Sequence, residues 1–371
     1  MARRPRLLLL TTSLARGGAE RQVVDLATGF RARGWDVAVL SMTPPSDHQA
    51  ELLAAGAEVA SLDMSRGQPT PGSLLRYARY VRRWRPDVIH SHMVHANLMA
   101  RVGRVFAPRV PVVSTVHNLV EGARWREIAY RVTDPLASAT TAVSEAATER
   151  YIRVGAAPRK RIVTVPNGFD FSRSTVPDGA REAVRAELGA TDEFLWVAVG
   201  RLVPEKGHDR LIRAFATVHD ARPEARLAIA GTGPLKADLD RLVVDLGLTA
   251  SASILGERKD VPSILAAADA FVLSSLWEGL PMVLLEAAAQ GLPIVSTDVG
   301  GCRDVAVPEL GAILVDGDEP DLATAMLRIM DLGPEERARI GRALQDHVRT
   351  DYDLSTVLDT WEALYGRVRG R

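Results

Sequence analysis

The amino-acid sequence predicts an α/β protein built from two doubly wound domains. Three observations lead there. Short runs of continuous apolar residues alternate with helical patterns, as in strands buried on both faces of a parallel sheet. The alternation stops at a polar stretch, residues 172–179, and then starts again. The length, 371 residues, exceeds the roughly 250–300 at which one hydrophobic core stops growing.

In the first half, residues 7–11 read as a strand, and residues 20–33 as a helix that Gly34 ends. Residues 37–41, 87–90, 112–117 and 141–144 are the next strands. Residues 163–170 close a further strand with a proline and a turn-forming Asn-Gly pair. In the second half, strands at 194–199, 227–230, 253–255, 270–273 and 294–296 alternate with helices at 209–219, 235–246, 261–268 and 281–290. A last helix, 354–366, carries Trp361 and Tyr365 on one face and is expected to cross back to the first domain. The expected organisation is therefore a first domain of residues 1–170, a linker of 171–192, a second domain of 193–350 and a crossing helix in 351–371. The two domains are expected to face each other across a cleft. Such sheets bind ligands at the carboxyl ends of their strands, so chemistry is expected in the loops there.

Composition narrows the function classes. Hydrophobic residues make up 47% and charged residues 25%, which excludes a disordered or collagen-like chain. The single cysteine, Cys302, excludes an intrachain disulfide and fits a reducing compartment. The aliphatic run at residues 7–10 is too short for a signal core of roughly 7–15 residues or a span of roughly 20. A soluble, cytoplasmic protein is the expectation. The zero net charge conceals a split: residues 1–168 carry 24 Lys/Arg against 13 Asp/Glu, and residues 169–371 carry 22 against 33. A basic half of this kind suits an anionic partner.

The richest stretch runs Ser274-Ser-Leu-Trp-Glu-Gly-Leu-Pro-Met-Val-Leu-Leu-Glu286. Pro281 fits the first position of a helix, Gly279 admits a ligand close to the backbone, and the helix end offers N–H groups to an anion. Glu278 lies before the helix and Glu286 in its second turn. A phosphate site between two carboxylates suggests a nucleotide sugar. Both glutamates being solvated is the bland alternative, but Glu286 is set among Leu284, Leu285 and three alanines. A second stretch, Val199-Gly-Arg-Leu-Val-Pro-Glu-Lys-Gly207, places Arg201 and Lys206 after a strand, where two cations suit a diphosphate. Alone it is weak, because exposed cations are common. Gly17 and Gly18 precede the first helix and can serve an anion, but they do not form the Gly-x-Gly-x-x-Gly dinucleotide fingerprint. Gly231 and Gly233 form a similar turn before Pro234.

In this order, Gly17-Gly18, His117, Arg201/Lys206, Gly231-x-Gly-Pro234 and Glu278-x7-Glu286 resemble the family 4 retaining glycosyltransferases, which have the GT-B fold. The resemblance covers nearly the whole chain and extends to bacterial group 1 enzymes of cell-surface glycan biosynthesis. It implies that the second domain holds a UDP- or GDP-sugar and the first a polysaccharide or lipid-linked acceptor. By the same resemblance Arg201 and Lys206 steady the leaving diphosphate and Glu286 binds the ribose. Glu278, with Gly279, Leu280 and Met282 after it, holds the sugar, and His117 meets it near the reacting carbon. Residues 256–261, Arg258 among them, flank the base, and the glycine turns line the donor. No metal or other cofactor is implied, and no nucleic acid.

Other residues admit plainer readings. Without the resemblance, His117 reads as a hydrogen-bonded core histidine. His90, His92 and His95 give no zinc-ligand pattern. Cys302 reads as a small loop residue. Residues 73–85 hold five arginines interleaved with Tyr77, Tyr80 and Trp84, a membrane-surface pattern or a core stripe with solvated cations. Trp125 and Tyr130, amid three further arginines, are a second candidate face toward an acceptor. A glycoside hydrolase is disfavoured, since eight helical residues span up to roughly 12 Å and retaining hydrolases need about 5–5.5 Å between carboxyls. A nucleotide-sugar epimerase and a non-catalytic sugar-nucleotide binder remain as alternatives.

Overall fold

A computed structural model describes residues 3–15, 17–65, 70–119 and 123–370. The chain divides into two compact units: Met1–Gly168 joined by Leu354–Arg371, and Phe169–Asp353.

The first unit carries β1 (Arg6–Thr11), α1 (Gly18–Ala32), β2 (Asp36–Ser41), α2 (Gln49–Ala54), β3 (Glu58–Ser61), α3 (Pro71–Trp84), β4 (Val88–His92), α4 (Val94–Gly103), β5 (Val112–Val116), α5 (Arg124–Thr133), β6 (Ala139–Ala142), α6 (Glu145–Arg153) and β7 (Ile162–Thr164). Its sheet runs β3-β2-β1-β4-β5-β6-β7, all parallel. Successive residues of a strand point to opposite faces. Leu7 and Leu9 accordingly join one core with Val23, Val24 and Phe30 of α1, while Leu8 and Leu10 join another with Tyr77, Val81 and Trp84 of α3.

The second unit carries α7 (Ala180–Glu187), β8 (Phe194–Val199), α8 (His208–Ala221), β9 (Ala225–Ala230), α9 (Lys236–Asp245), β10 (Ala252–Gly256), α10 (Val261–Ala267), β11 (Ala270–Leu273), α11 (Met282–Ala289), β12 (Ile294–Thr297), α12 (Cys302–Val305), β13 (Ile313–Val315), α13 (Glu319–Asp331) and α14 (Pro334–Asp351). Its parallel sheet runs β10-β9-β8-β11-β12-β13, so the strand order reverses between β8 and β11. The last helix, α15 (Leu354–Arg369), belongs to the first unit, where Trp361 and Tyr365 enter the core of α1.

Two expectations change, and one open alternative is decided. Residues 171–192 are part of the second unit rather than a free linker, because Arg181 and Arg185 of α7 fasten it to Asp269 at 3.2 and 3.0 Å. Pro281 caps α11 with extended backbone instead of starting it, and the helix begins at Met282. The aromatic stripe of α3 is core: Tyr77 and Trp84 are buried, and Tyr80 and Trp84 both bond Glu58.

Candidate active site

The reversal between β8 and β11 opens a place where two loops leave adjacent strands in the same direction. Lys206 sits on the loop after β8 and Glu278 on the loop after β11. Lys206 Nζ lies 2.5 Å from Glu278 Oε1, with both side chains mostly buried. Ser275 Oγ donates to the same carboxylate oxygen at 2.6 Å. The two loops are themselves tied together: Ser274 Oγ donates to the Lys206 carbonyl at 2.9 Å, and Leu276 N–H to the Glu205 carbonyl at 2.8 Å. Thr297, at the end of β12, donates to the Ser275 carbonyl at 2.7 Å. The pair is thus held by backbone and hydroxyl bonds, not by long side chains alone.

Gly300 secures the other side. Its φ is +55°, and a Cβ there would stand 2.0 Å from the Glu278 carbonyl oxygen, so only glycine permits this approach. Gly301 N–H then donates to the Gly279 carbonyl at 2.8 Å. Leu280 is buried, and Met282 opens α11.

Glu286 lies in the second turn of α11. Burial pushes its carboxyl up to about 7, and the Arg173 charge works in the opposite direction. Arg201 is mostly exposed and pairs with Glu205 at 3.2 Å. It shares the β8 loop with Lys206 but is directed to a different partner. Gly231 and Gly233 let the β9 loop lie on the β8 loop: a Cβ would come within 1.8 Å of the Gly200 oxygen at the first and 2.3 Å of the Leu202 oxygen at the second. Arg258 is committed to Asp260, at 2.8 and 2.7 Å, and to Glu187 of α7. It is not brought to the Lys206–Glu278 pair. Cys302 is buried, its thiol pushed up to about 12, which leaves no thiolate nucleophile.

In the first unit, His117 follows β5. Its Nε2 lies 3.0 Å from His92 Nδ1, while its Nδ1 is buried without a hydrogen-bond partner among the described residues. Burial pushes His117 down to about 4. The ring of His90 lies 4.1 Å from that of His92 and bonds Tyr365 of α15 and Thr115 of β5, both at 2.6 Å. Gly17 caps α1 with extended backbone, and the Glu20 carboxylate folds back toward it while accepting from Ser13 Oγ at 2.7 Å. Among the described residues, no group of three or more His, Cys, Asp or Glu is arranged to hold a metal ion.

Comparison with known proteins decides the family. The family model "Glycosyl transferases group 1" matches residues 180–347, and "Glycosyltransferase Family 4" matches residues 16–173. The chain is a glycosyltransferase of group 1, family 4. A Corynebacterium glutamicum GDP-mannose-dependent monoacylated α-(1-6)-phosphatidylinositol monomannoside mannosyltransferase is 34% identical over 216 residues, covering 55% of this chain and about half of the relative, 54%. An Escherichia coli UDP-Gal:α-D-GlcNAc-diphosphoundecaprenol α-1,3-galactosyltransferase is 27% identical over 271 residues, 70% of each chain. The fold matches the Anabaena protein HepE, solved with UDP, at a TM-score of 0.85 and 23% identity over 98% of this chain and 100% of that one. The transferase therefore has the GT-B fold of two Rossmann-like units.

Each unit also holds residues whose role sequence reading did not show. Ser275 and Thr297 are ordinary hydroxyls whose role appears only when the loops meet. Arg173 lies 113 positions before Glu286, in a polar stretch that reads as a boundary. His92 is visible as a histidine near a strand end, but nothing in the sequence pairs it with His117.

Proposed function

We propose that the transferase moves a hexose from a GDP- or UDP-sugar, with retention at the anomeric carbon, to a lipid-linked or polysaccharide acceptor of the cell envelope. The observation that carries this reading is the buried Lys206–Glu278 pair at the strand-order reversal. The names of the two relatives support it, since one uses GDP-mannose, the other UDP-Gal, and both act on lipid-linked acceptors.

In this mechanism the second unit binds the donor. Its diphosphate lies at the amino end of α11 with Lys206 and Arg201 as counter-charges, Glu286 takes the ribose hydroxyls, and Glu278 holds the sugar with the backbone of Gly279, Leu280 and Met282. Gly231 and Gly233 keep the β9 loop clear of the nucleotide, and the backbone around Arg258 lies beside the base. Gly17 and Gly18 offer N–H groups from the first unit. As the glycosidic bond breaks, charge grows on the diphosphate, and the fixed cations stabilise it. The diphosphate then accepts the acceptor's proton. Neutral His117 donates or accepts a hydrogen bond to a sugar hydroxyl without adding charge. Glu127, the next described carboxylate after His117, is committed to Arg150 at 2.6 Å, which supports a route without a covalent glycosyl-enzyme. Product NMR tests the reading: the donor's anomeric configuration is kept, whereas an inverted product overturns it. A panel of nucleotide sugars, scored for slow hydrolysis without acceptor, names the donor.

The basic first unit is proposed to dock on anionic lipid at the inner face of the membrane. Helix α5 suits this better than α3. Its Trp125, Ile128 and Val132 form one stripe and are 54%, 59% and 70% exposed, with Arg124 and Arg131 exposed beside them. No helix of the described residues is long and apolar enough to cross a membrane. Co-sedimentation with anionic vesicles is expected at low salt and to fall in Trp125→Ser/Val132→Ser. Equal sedimentation of that variant removes α5 as the docking face.

A further inference from the structure

The first unit contains a cavity of about 610 Å³ at the opposite end of the strands from His117. Arg104, Arg109, Arg161 and Arg369 line it, together with Ser138 and Val368. Ser138 immediately precedes β6 and Arg161 immediately precedes β7, so the cavity opens at the amino ends of these strands. His117 instead follows the carboxyl end of β5, a strand of five residues, or roughly 16 Å at about 3.3 Å each. The two places are separate.

The charges around this cavity are unbalanced. Four arginines line it, and among the described residues no Asp or Glu does. Arg161 lies 3.2 Å from the buried Asp134 carboxylate, the one acidic partner of the set. Arg104 donates to the Leu136 carbonyl at 2.9 Å, which fixes the guanidinium but leaves its charge in place. Arg369 lies over the Trp35 ring at 5.8 Å, a contact that likewise positions it without neutralising it. Among the described residues, no carboxylate pairs with Arg104, Arg109 or Arg369. The carboxyl end of α15 adds only a partial negative charge at the rim. Like charges held around a concave, partly desolvated space repel one another until an anion enters.

We propose that this cavity is a second ligand site, distinct from donor binding, for a phosphate-bearing anion. Its volume suits a head group or a short oligophosphate, within the roughly 300–1,000 Å³ of small-ligand sites. Planar guanidiniums meet phosphate oxygens through paired N–H bonds, so four arginines around one cavity favour a multiply charged phosphate over a lone carboxylate. The anion is either a soluble oligophosphate or the phosphate of a membrane lipid.

The test uses the full chain. Binding of inorganic pyrophosphate is measured by calorimetry in the wild type, in Lys206→Ala, which impairs the donor site, and in Arg109→Gln/Arg369→Gln. These two arginines are exposed, so the double variant is expected to fold, and Arg109→Lys/Arg369→Lys checks that charge is what counts. A parallel arm measures co-sedimentation with vesicles of phosphatidylglycerol in phosphatidylcholine. Pyrophosphate binding that survives Lys206→Ala and weakens at least tenfold in the Gln variant supports a soluble oligophosphate. Vesicle binding that weakens equally in the Gln variant, with no pyrophosphate binding, supports a lipid phosphate. If the Gln variant matches the wild type in both arms, or neither probe binds, the site does not exist.

Discussion

The two units place polar residues close to the reversal of strand order and use opposite chemistry there. In the first, the order reverses between β1 and β4, and beside it β4 carries His90 and His92 while His117 follows β5. Burial holds all three below the usual histidine range, so they are neutral hydrogen-bonding rings. In the second, the reversal between β8 and β11 gathers an ion pair, Lys206 and Glu278. A neutral, preorganised cluster can orient hydroxyl groups at little electrostatic cost, but it cannot stabilise a departing diphosphate. A buried cation can, provided a carboxylate balances it while the site is empty. One fold thus supplies hydroxyl recognition in one unit and charge stabilisation in the other.

Acid separates the units most strongly. The folded-state value of His117 is depressed from 6.5 to about 4. Its contribution is therefore present above 6.5 and is lost as pH falls toward 4, up to about 3 kcal/mol at 1.36 kcal/mol per unit. His90 and His92 act with the same sign. In the second unit His208, also depressed to about 4, acts in the same direction. Glu286 opposes it: a raised value stabilises below about 4.5 and the benefit is lost as pH rises through about 7. Hydrogen exchange followed between pH 7 and 4.5 should show the first sheet losing protection before the second. Loss in the reverse order would break the contrast.

Next in size is Lys206→Ala. A hydrogen bond to a charged group contributes about 1.5–3 kcal/mol, so kcat/KM for the donor should fall roughly ten- to more than a hundredfold. A double-mutant cycle with Glu278→Ala should be non-additive, since each residue is the other's partner. Unchanged kinetics in a folded Lys206→Ala variant would remove charge stabilisation from the second unit.

Legibility in the sequence follows this contrast. The central strands could be read because their residues are apolar on both faces, as at Leu7–Leu10, all fully buried. The edge strands β3 and β13 could not: their residues are mostly half-buried and blend with loop composition. Helices α13 and α14 were missed as well, although Asp318 and Pro334 mark their starts. Lys206 and Glu278 are legible singly from their loops, but their pairing depends on β8 and β11 being neighbours, which a separation of 72 positions hides. The arginine stripe of α3 admits both a surface and a core reading, and the packing of Tyr77 and Trp84 decides its orientation. No local pattern shows that Tyr365 of α15 would bond His90, 275 positions away.

Glu286→Gln probes a buried carboxyl whose charge changes near neutrality. Ribose hydroxyls donate more strongly to a carboxylate than to a carboxylic acid. With a value of about 7, ionisation rises from about a tenth to about nine tenths between pH 6 and 8, so nucleotide affinity should tighten by up to about tenfold. Calorimetric titrations of UDP and GDP across that range should show the slope in the wild type and a flat, weaker profile in Glu286→Gln. A pH-independent wild type would place the ribose elsewhere.

The smallest effect belongs to His92→Phe, and it asks whether the two units divide the work as their chemistry suggests. Phenylalanine keeps an aromatic ring beside His90, now 4.1 Å from the His92 ring, and removes only the 3.0 Å bond to His117. A neutral hydrogen bond contributes about 0.5–1.5 kcal/mol, so kcat/KM should drop two- to about tenfold through misorientation of His117. Nucleotide affinity should not move, because His92 and the Lys206–Glu278 pair belong to different units. His92→Asn, which restores a short polar partner, should recover part of the rate, whereas a purely structural role would give equal losses in both variants along with a lower melting temperature. A change in nucleotide affinity would mean that the neutral cluster reaches the donor's charged end, and the division between orienting hydroxyls and stabilising charge would have to be redrawn.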